Sequence, residues 1–87
     1  MLVETTTFRL AEGADEAAFL AADVARQAEL SPRPGFVRRT TARGDGGAWL
    51  VLTLWWSAEV ADAAPAAVPE GLVDPGSVRR ERFETLE

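Results

Sequence analysis

From Trp49 to Trp56 the chain reads WLVLTLWW, and both alternating sets of residues in it are apolar. In an extended strand Trp49, Val51, Thr53 and Trp55 point one way, and Leu50, Leu52, Leu54 and Trp56 the other. The preceding segment, Phe36 to Arg43, has strand composition and is joined to this one by the turn sequence GDGG, so the pair predicts a β-hairpin. Residues 2–10, with Thr5, Thr6 and Thr7 between Val3 and Phe8, form a further strand. AEGAD breaks it, and Asp15 is placed as the N-cap or a first-turn acid of a helix over residues 15–30, rich in Ala, Leu, Glu and Arg. Pro32 and Pro34 stop that helix by excluding helical angles from the residues before them. Ser57 caps a second, short helix from about Ala58 to Ala64, kept short by Pro65, Pro69 and Pro75. Ser77 to Leu86 supplies the last strand.

The order strand, helix, strand, strand, helix, strand predicts a ferredoxin-like α+β domain, βαββαβ, spanning residues 1–87. A four-stranded antiparallel sheet with both helices on one face leaves its other face open, and such a strand should then alternate cleanly. The strand from Trp49 to Trp56 does not alternate. A second copy of the same sheet would cover its second face, which predicts a symmetric homodimer.

Composition narrows the chemistry. The chain has 87 residues with no Cys and no His, which removes disulfides and the common zinc and iron ligands. Its net charge of -5 and the lack of aromatic interleaving in VRRERFE argue against nucleic acid as a partner. MLVETTTFRL lacks the basic start and apolar run of a signal peptide, and no stretch approaches the ~20 apolar residues of a membrane span. A cytoplasmic protein without membrane contact is expected.

Two polar residues occupy odd positions. On a helical wheel Phe19, Leu20, Val24 and Leu30 form one arc, expected to face the sheet, and Asp23 and Gln27 fall inside it. Polar side chains buried there must be hydrogen-bonded, at a cost of about 1–3 kcal/mol each if they are not. Asp23, a carboxylate shielded from water, is a candidate general base, with Gln27 beside it. The alternative is a structural bond from Asp23 to an arginine or to backbone. Glu4 shares a strand face with Thr6 and Phe8. Arginines stand in pairs at Arg38–Arg39 and at Arg79–Arg80 with Arg82, so at least one of each pair points inward or into the dimer interface, an inward one being an ionic partner or an anion clamp.

The sequence RPGFVRR, the glycine turn and WLVLTLWWSAE together resemble the dimeric α/β-barrel superfamily, most closely its antibiotic biosynthesis monooxygenase-like branch. The matching residues are Pro34, Gly35 and Phe36 entering the second strand, Trp55 ending the third, and Ser57 to Glu59 opening the next helix. The resemblance implies a barrel closed between two subunits and a small-molecule function: oxygenation of an aromatic or polyketide-like compound without a cofactor. In that reading Asp23 and Gln27 act on the substrate, while Glu4, Arg38 and Trp55 bind it. Haem degradation is disfavoured because those enzymes place a His on the iron. The competing reading is a non-catalytic ligand-binding or assembly module whose polar cluster is structural.

Overall fold

A computed structural model describes residues 1–86. Four strands, β1 (Leu2–Arg9), β2 (Phe36–Arg43), β3 (Ala48–Trp55) and β4 (Arg79–Glu84), form one antiparallel sheet in the order β2-β3-β1-β4. Helix α1 (Glu16–Leu30) follows β1, and the shorter α2 (Ala58–Ala63) follows β3. This is the ferredoxin-like α+β arrangement expected from the element order. Among the described residues no helix is long and apolar enough to cross a membrane.

The local signals act as their chemistry requires. Asp15 accepts a hydrogen bond from the Ala17 amide at 3.1 Å and caps α1, and Ser57 accepts one from Val60 at 3.3 Å and caps α2. The last strand is shorter than expected. Ser77 belongs to a 3-10 turn, Pro75–Ser77, where its hydroxyl accepts from the Arg9 amide at 2.9 Å and donates to the Asp74 carbonyl at 2.7 Å. A side chain committed to closing this turn delays the start of β4.

Every second residue of β3, Trp49, Val51, Thr53 and Trp55, is buried against the helices, and Leu50, Leu52 and Leu54 on the opposite face are half-buried. Two apolar clusters fill the helix side. One gathers Phe8, Phe19, Trp49, Val51, Val68 and Val73, with Phe19 centred 5.5 Å from Phe8 and 5.0 Å from Trp49. The other joins Leu30, Trp55 and Ala61, with Phe36 edge-on to Trp55 at 5.6 Å.

Helix α1 departs from expectation. Phe19 and Leu30 are fully buried, but Leu20 is 41% and Val24 70% exposed, so half of the predicted apolar arc faces away from the sheet. The buried stripe instead runs through Phe19, Asp23, Arg26 and Leu30, and Arg26 is half-buried. Charged groups with partners on the sheet and on the loop after α2 turn the helix away from its purely apolar rotation.

Gly35 adopts φ +85°, a left-handed conformation, at the entry to β2. A β-carbon there would lie 2.7 and 2.8 Å from the two γ-carbons of Val60 on α2. Gly35→Ala is expected to cost about 2–4 kcal/mol, strain and overlap together, read from urea unfolding. Val60→Ala in the same chain should recover only the part due to overlap.

Candidate functional site

The two apolar clusters are separated by a row of polar side chains. Cross-strand pairing places Arg39 opposite Thr53, Thr53 opposite Glu4, and Glu4 opposite Arg82, so one row crosses β2, β3, β1 and β4 on the helix side. Thr6 and Thr41 occupy the neighbouring row with Val51. The helices add charges above this row: Asp23 and Arg26 from α1 and Asp62 from α2.

At the β2 end, Arg39 Nη2 donates to Asp23 Oδ1 at 2.5 Å and to the Ala67 carbonyl at 2.7 Å. The Arg39 side chain is 2% exposed and that of Asp23 13%. Desolvating a guanidinium this completely is expensive, and the carboxylate and carbonyl offset that cost. Arg26 donates through Nη1 to the neighbouring Ala66 carbonyl. The chain after α2, residues 64–67, is therefore strapped over the row by two arginines.

At the β4 end, Arg82 bridges Glu4 and Asp62, each at 2.8 Å. Hydrogen bonding to Asp62, and next to Glu4, holds the Arg82 guanidinium above its usual range. This ion triad ties β4, β1 and α2 together. Along this interior Thr53 Oγ1, Trp55 Nε1, Arg39 Nε and Arg26 Nε are buried and make no hydrogen bond among the described residues, Arg26 Nε lying 3.8 Å from Glu29 Oε1. Each such group costs about 1–3 kcal/mol when it stays unsatisfied, so this interior retains hydrogen-bonding capacity.

The structure places Asp23, Gln27, Glu4 and Trp55 on the helix side of the sheet, with Asp23 paired to Arg39 at the β2 end and Glu4 to Arg82 at the β4 end. Gln27 is half-buried one turn beyond Asp23, and Trp55 is 1% exposed beside the Thr53 position. Arg38 does not join them. A register shift between Phe36 and Arg38 puts Arg38 opposite Leu54, on the far face, and turns Arg39 inward. Alternation predicted one inward arginine of the pair but could not place the bulge that chooses between them. Arg26, Asp62 and Thr53 carried no sequence signal beyond their polarity; Arg82 was visible as a member of an arginine-rich strand.

Of four surface clefts of 260 to 320 Å³, none is lined by Asp23, Gln27 or Arg39. A cleft of about 260 Å³ does reach the β4 end of the row, lined by Glu4, Asp62 and Arg82 and by the strap, Ala64 to Ala67. The strap thus separates this cleft from the Asp23–Arg39 pair. Among the described residues no group of three His, Cys, Asp or Glu is placed to hold a metal ion.

No protein-family model matches the chain, and no curated protein matches it. Solved structures do. SnoaB, a cofactor-independent oxygenase from Streptomyces nogalater, superposes with a TM-score of 0.77 at 19% identity, covering 99% of this chain and 93% of its own. Protein SO0527 from Shewanella oneidensis gives a TM-score of 0.72 at 20% identity over 94% of this chain and 87% of its own. The haem-degrader MhuD from Mycobacterium tuberculosis, solved with two haems in its active site, gives 0.65 at 19% identity over 100% and 97%. The fold is therefore a ferredoxin-like fold shared with these structures and with a putative antibiotic biosynthesis monooxygenase from Chloroflexus aurantiacus (TM-score 0.66, 17% identity, 100% of this chain and 95% of that one). At this identity the likeness fixes the fold, and the chemistry rests on the residues.

Removing one member of the buried pair strands the other. Asp23→Asn should destabilise the protein by about 3–5 kcal/mol, a fall in Tm of more than about 10 °C by calorimetry. Arg39→Met combined with Asp23→Asn should cost clearly less than the sum of the two single changes. Additive losses would mean that the pair contributes no coupling.

Proposed function

We propose that this protein binds a small aromatic or polyketide-like compound between its helices and sheet and oxygenates it without a cofactor, working in the cytoplasm. The observation that carries this reading is the buried polar row. It holds a carboxylate, an arginine and unpartnered donors in a buried interior, on a fold shared with a cofactor-independent oxygenase. Asp23 takes a proton from the substrate, and Arg39, inward where Arg38 was expected, pairs with the resulting anion. The carbanion passes an electron to dioxygen, the two radicals join in a C–O bond, and the peroxide takes up a proton. Loss of water then leaves a carbonyl where the substrate had a CH₂ group. One oxygen atom ends in the product and one in water; carbon loses four electrons and dioxygen gains four, so no external reductant enters. Gln27 orients the substrate oxygen, Trp55 forms an apolar wall, and Glu4 stands at the cleft leading in. Entry requires the Ala64–Ala67 strap to lift from Arg26 and Arg39.

The competing reading, a non-catalytic module with a structural polar cluster, draws on the 2.5 Å Asp23–Arg39 contact and on the absence of Asp23 from the cleft linings. Oxygen-electrode traces with an anthrone decide between them. The oxygenase should consume one dioxygen per quinone formed, and Gln27→Leu should lower kcat/KM at least tenfold with Tm unchanged. Anthrone oxidation no faster than in buffer would favour the module.

The far sheet face supports assembly with a second copy. Leu50, Leu52 and Leu54 line its centre with Val3, and Phe83 on β4 is 53% exposed. A homodimer through this face would bury them and bring Arg38 into the interface. Light scattering at micromolar concentration should then give roughly twice the 9.4 kDa chain mass, and Leu52→Glu should return it to the monomer value. A monomer throughout that range would rule this assembly out.

A further inference from the structure

A second candidate site lies on the helix side of β4, away from the Asp23–Arg39 pair. The sheet is well covered over β3, whereas all six residues of β4 are exposed. The cause is the brevity of α2, which spans six residues before Pro65 and Pro69 forbid its continuation. The chain then crosses as a strap, and two clefts open beside β4. One, of about 270 Å³, has an apolar wall of Val68, Val73, Pro75 and Val78. The other is the polar cleft of about 260 Å³ already described at Glu4, Asp62 and Arg82. Glu70 and Arg80 line both, so the two clefts adjoin at these residues.

The charges at this junction are unequal in their commitments. Arg82 is already paired with two carboxylates, Glu4 and Asp62. The side chains of Arg80 and Glu70 make no ion pair or hydrogen bond among the described residues. The double cleft therefore offers one free guanidinium, one free carboxylate and a branched apolar wall. A ligand carrying a carboxylate alone would satisfy Arg80 but meet the field of Glu70, Glu4 and Asp62. One carrying an amine alone would satisfy Glu70 and be repelled by Arg80. A molecule with both groups and an apolar body leaves neither charge opposed.

We propose that the double cleft beside β4 binds a small zwitterion with an apolar body, an α-amino acid with an aromatic or branched side chain. Its carboxylate pairs with Arg80, its ammonium with Glu70, and its side chain lies against Val68, Val73 and Val78. The site shares its polar cleft with the entry that the oxygenase reading uses, but its ligand is a different one, since that reading's substrate carries no ammonium group.

Three probes of one shape test it: L-phenylalanine, 3-phenylpropanoate, which lacks the amine, and 2-phenylethylamine, which lacks the acid. Binding is followed on the methyl NMR signals of Val68, Val73 and Val78. Phenylalanine should bind at least about fivefold more tightly than either analogue, the factor that an exposed ion pair of ~1 kcal/mol supplies. Arg80→Gln should erase its advantage over phenylethylamine, and Glu70→Gln its advantage over phenylpropanoate. Both side chains are exposed, so these variants should fold, with the dispersion of the spectrum as the check. Equal affinity for the three probes, tighter binding of a single-charge analogue, indifference to Arg80→Gln, or no shift of the valine methyls would each overturn the proposal.

Discussion

The contact between Asp23 and Arg39 constrains most of what surrounds it. A guanidinium buried to this degree must keep a carboxylate and a carbonyl within hydrogen-bond reach, or the interior pays for an uncompensated charge. Helix α1 accordingly presents Asp23 and Arg26 to the sheet and leaves Leu20 and Val24 towards solvent. The chain after α2 is drawn across the row, because the Ala66 and Ala67 carbonyls are the acceptors that the two arginines use. The apolar core is divided as a result, with the aromatic cluster around Phe19 on one side of the polar row and the Trp55 cluster on the other.

The second constraint is the short α2. A helix of six residues cannot cover the whole sheet, so β4 is held by its pairing with β1 and by the Arg82 triad, with little burial of its side chains. The same shortness opens the clefts beside β4, and the strap that replaces further helix forms one wall of the polar cleft at Glu4, Asp62 and Arg82. One feature of the sequence, the prolines after Ala64, thus governs both the exposure of the last strand and access to the polar row.

The structures that share this fold include a cofactor-independent oxygenase and a haem-degrader, so the frame tolerates unlike chemistries. In this chain the interior row and the helix groups above it are carboxylates, arginines and threonines, without any histidine.

Element order, both helix caps and the two-faced character of β3 could be read from the sequence, because each depends on residues close in the chain: Asp15, Ser57, the prolines, and the alternation from Trp49 to Trp55. The polarity of Asp23 and Gln27 within an apolar arc was equally visible, since helical periodicity is local. Which arginine of Arg38 and Arg39 turns inward was settled by a register shift near Phe36, and a single-residue shift in a strand exchanges its faces. The rotation of α1, the partnership of Glu4 with Arg82, and the role of the Ala66 and Ala67 carbonyls arise from groups 16 to 78 positions apart in sequence. Only the packing of helices onto the sheet brings such groups together, and the cost of burying their charges then decides the final fit.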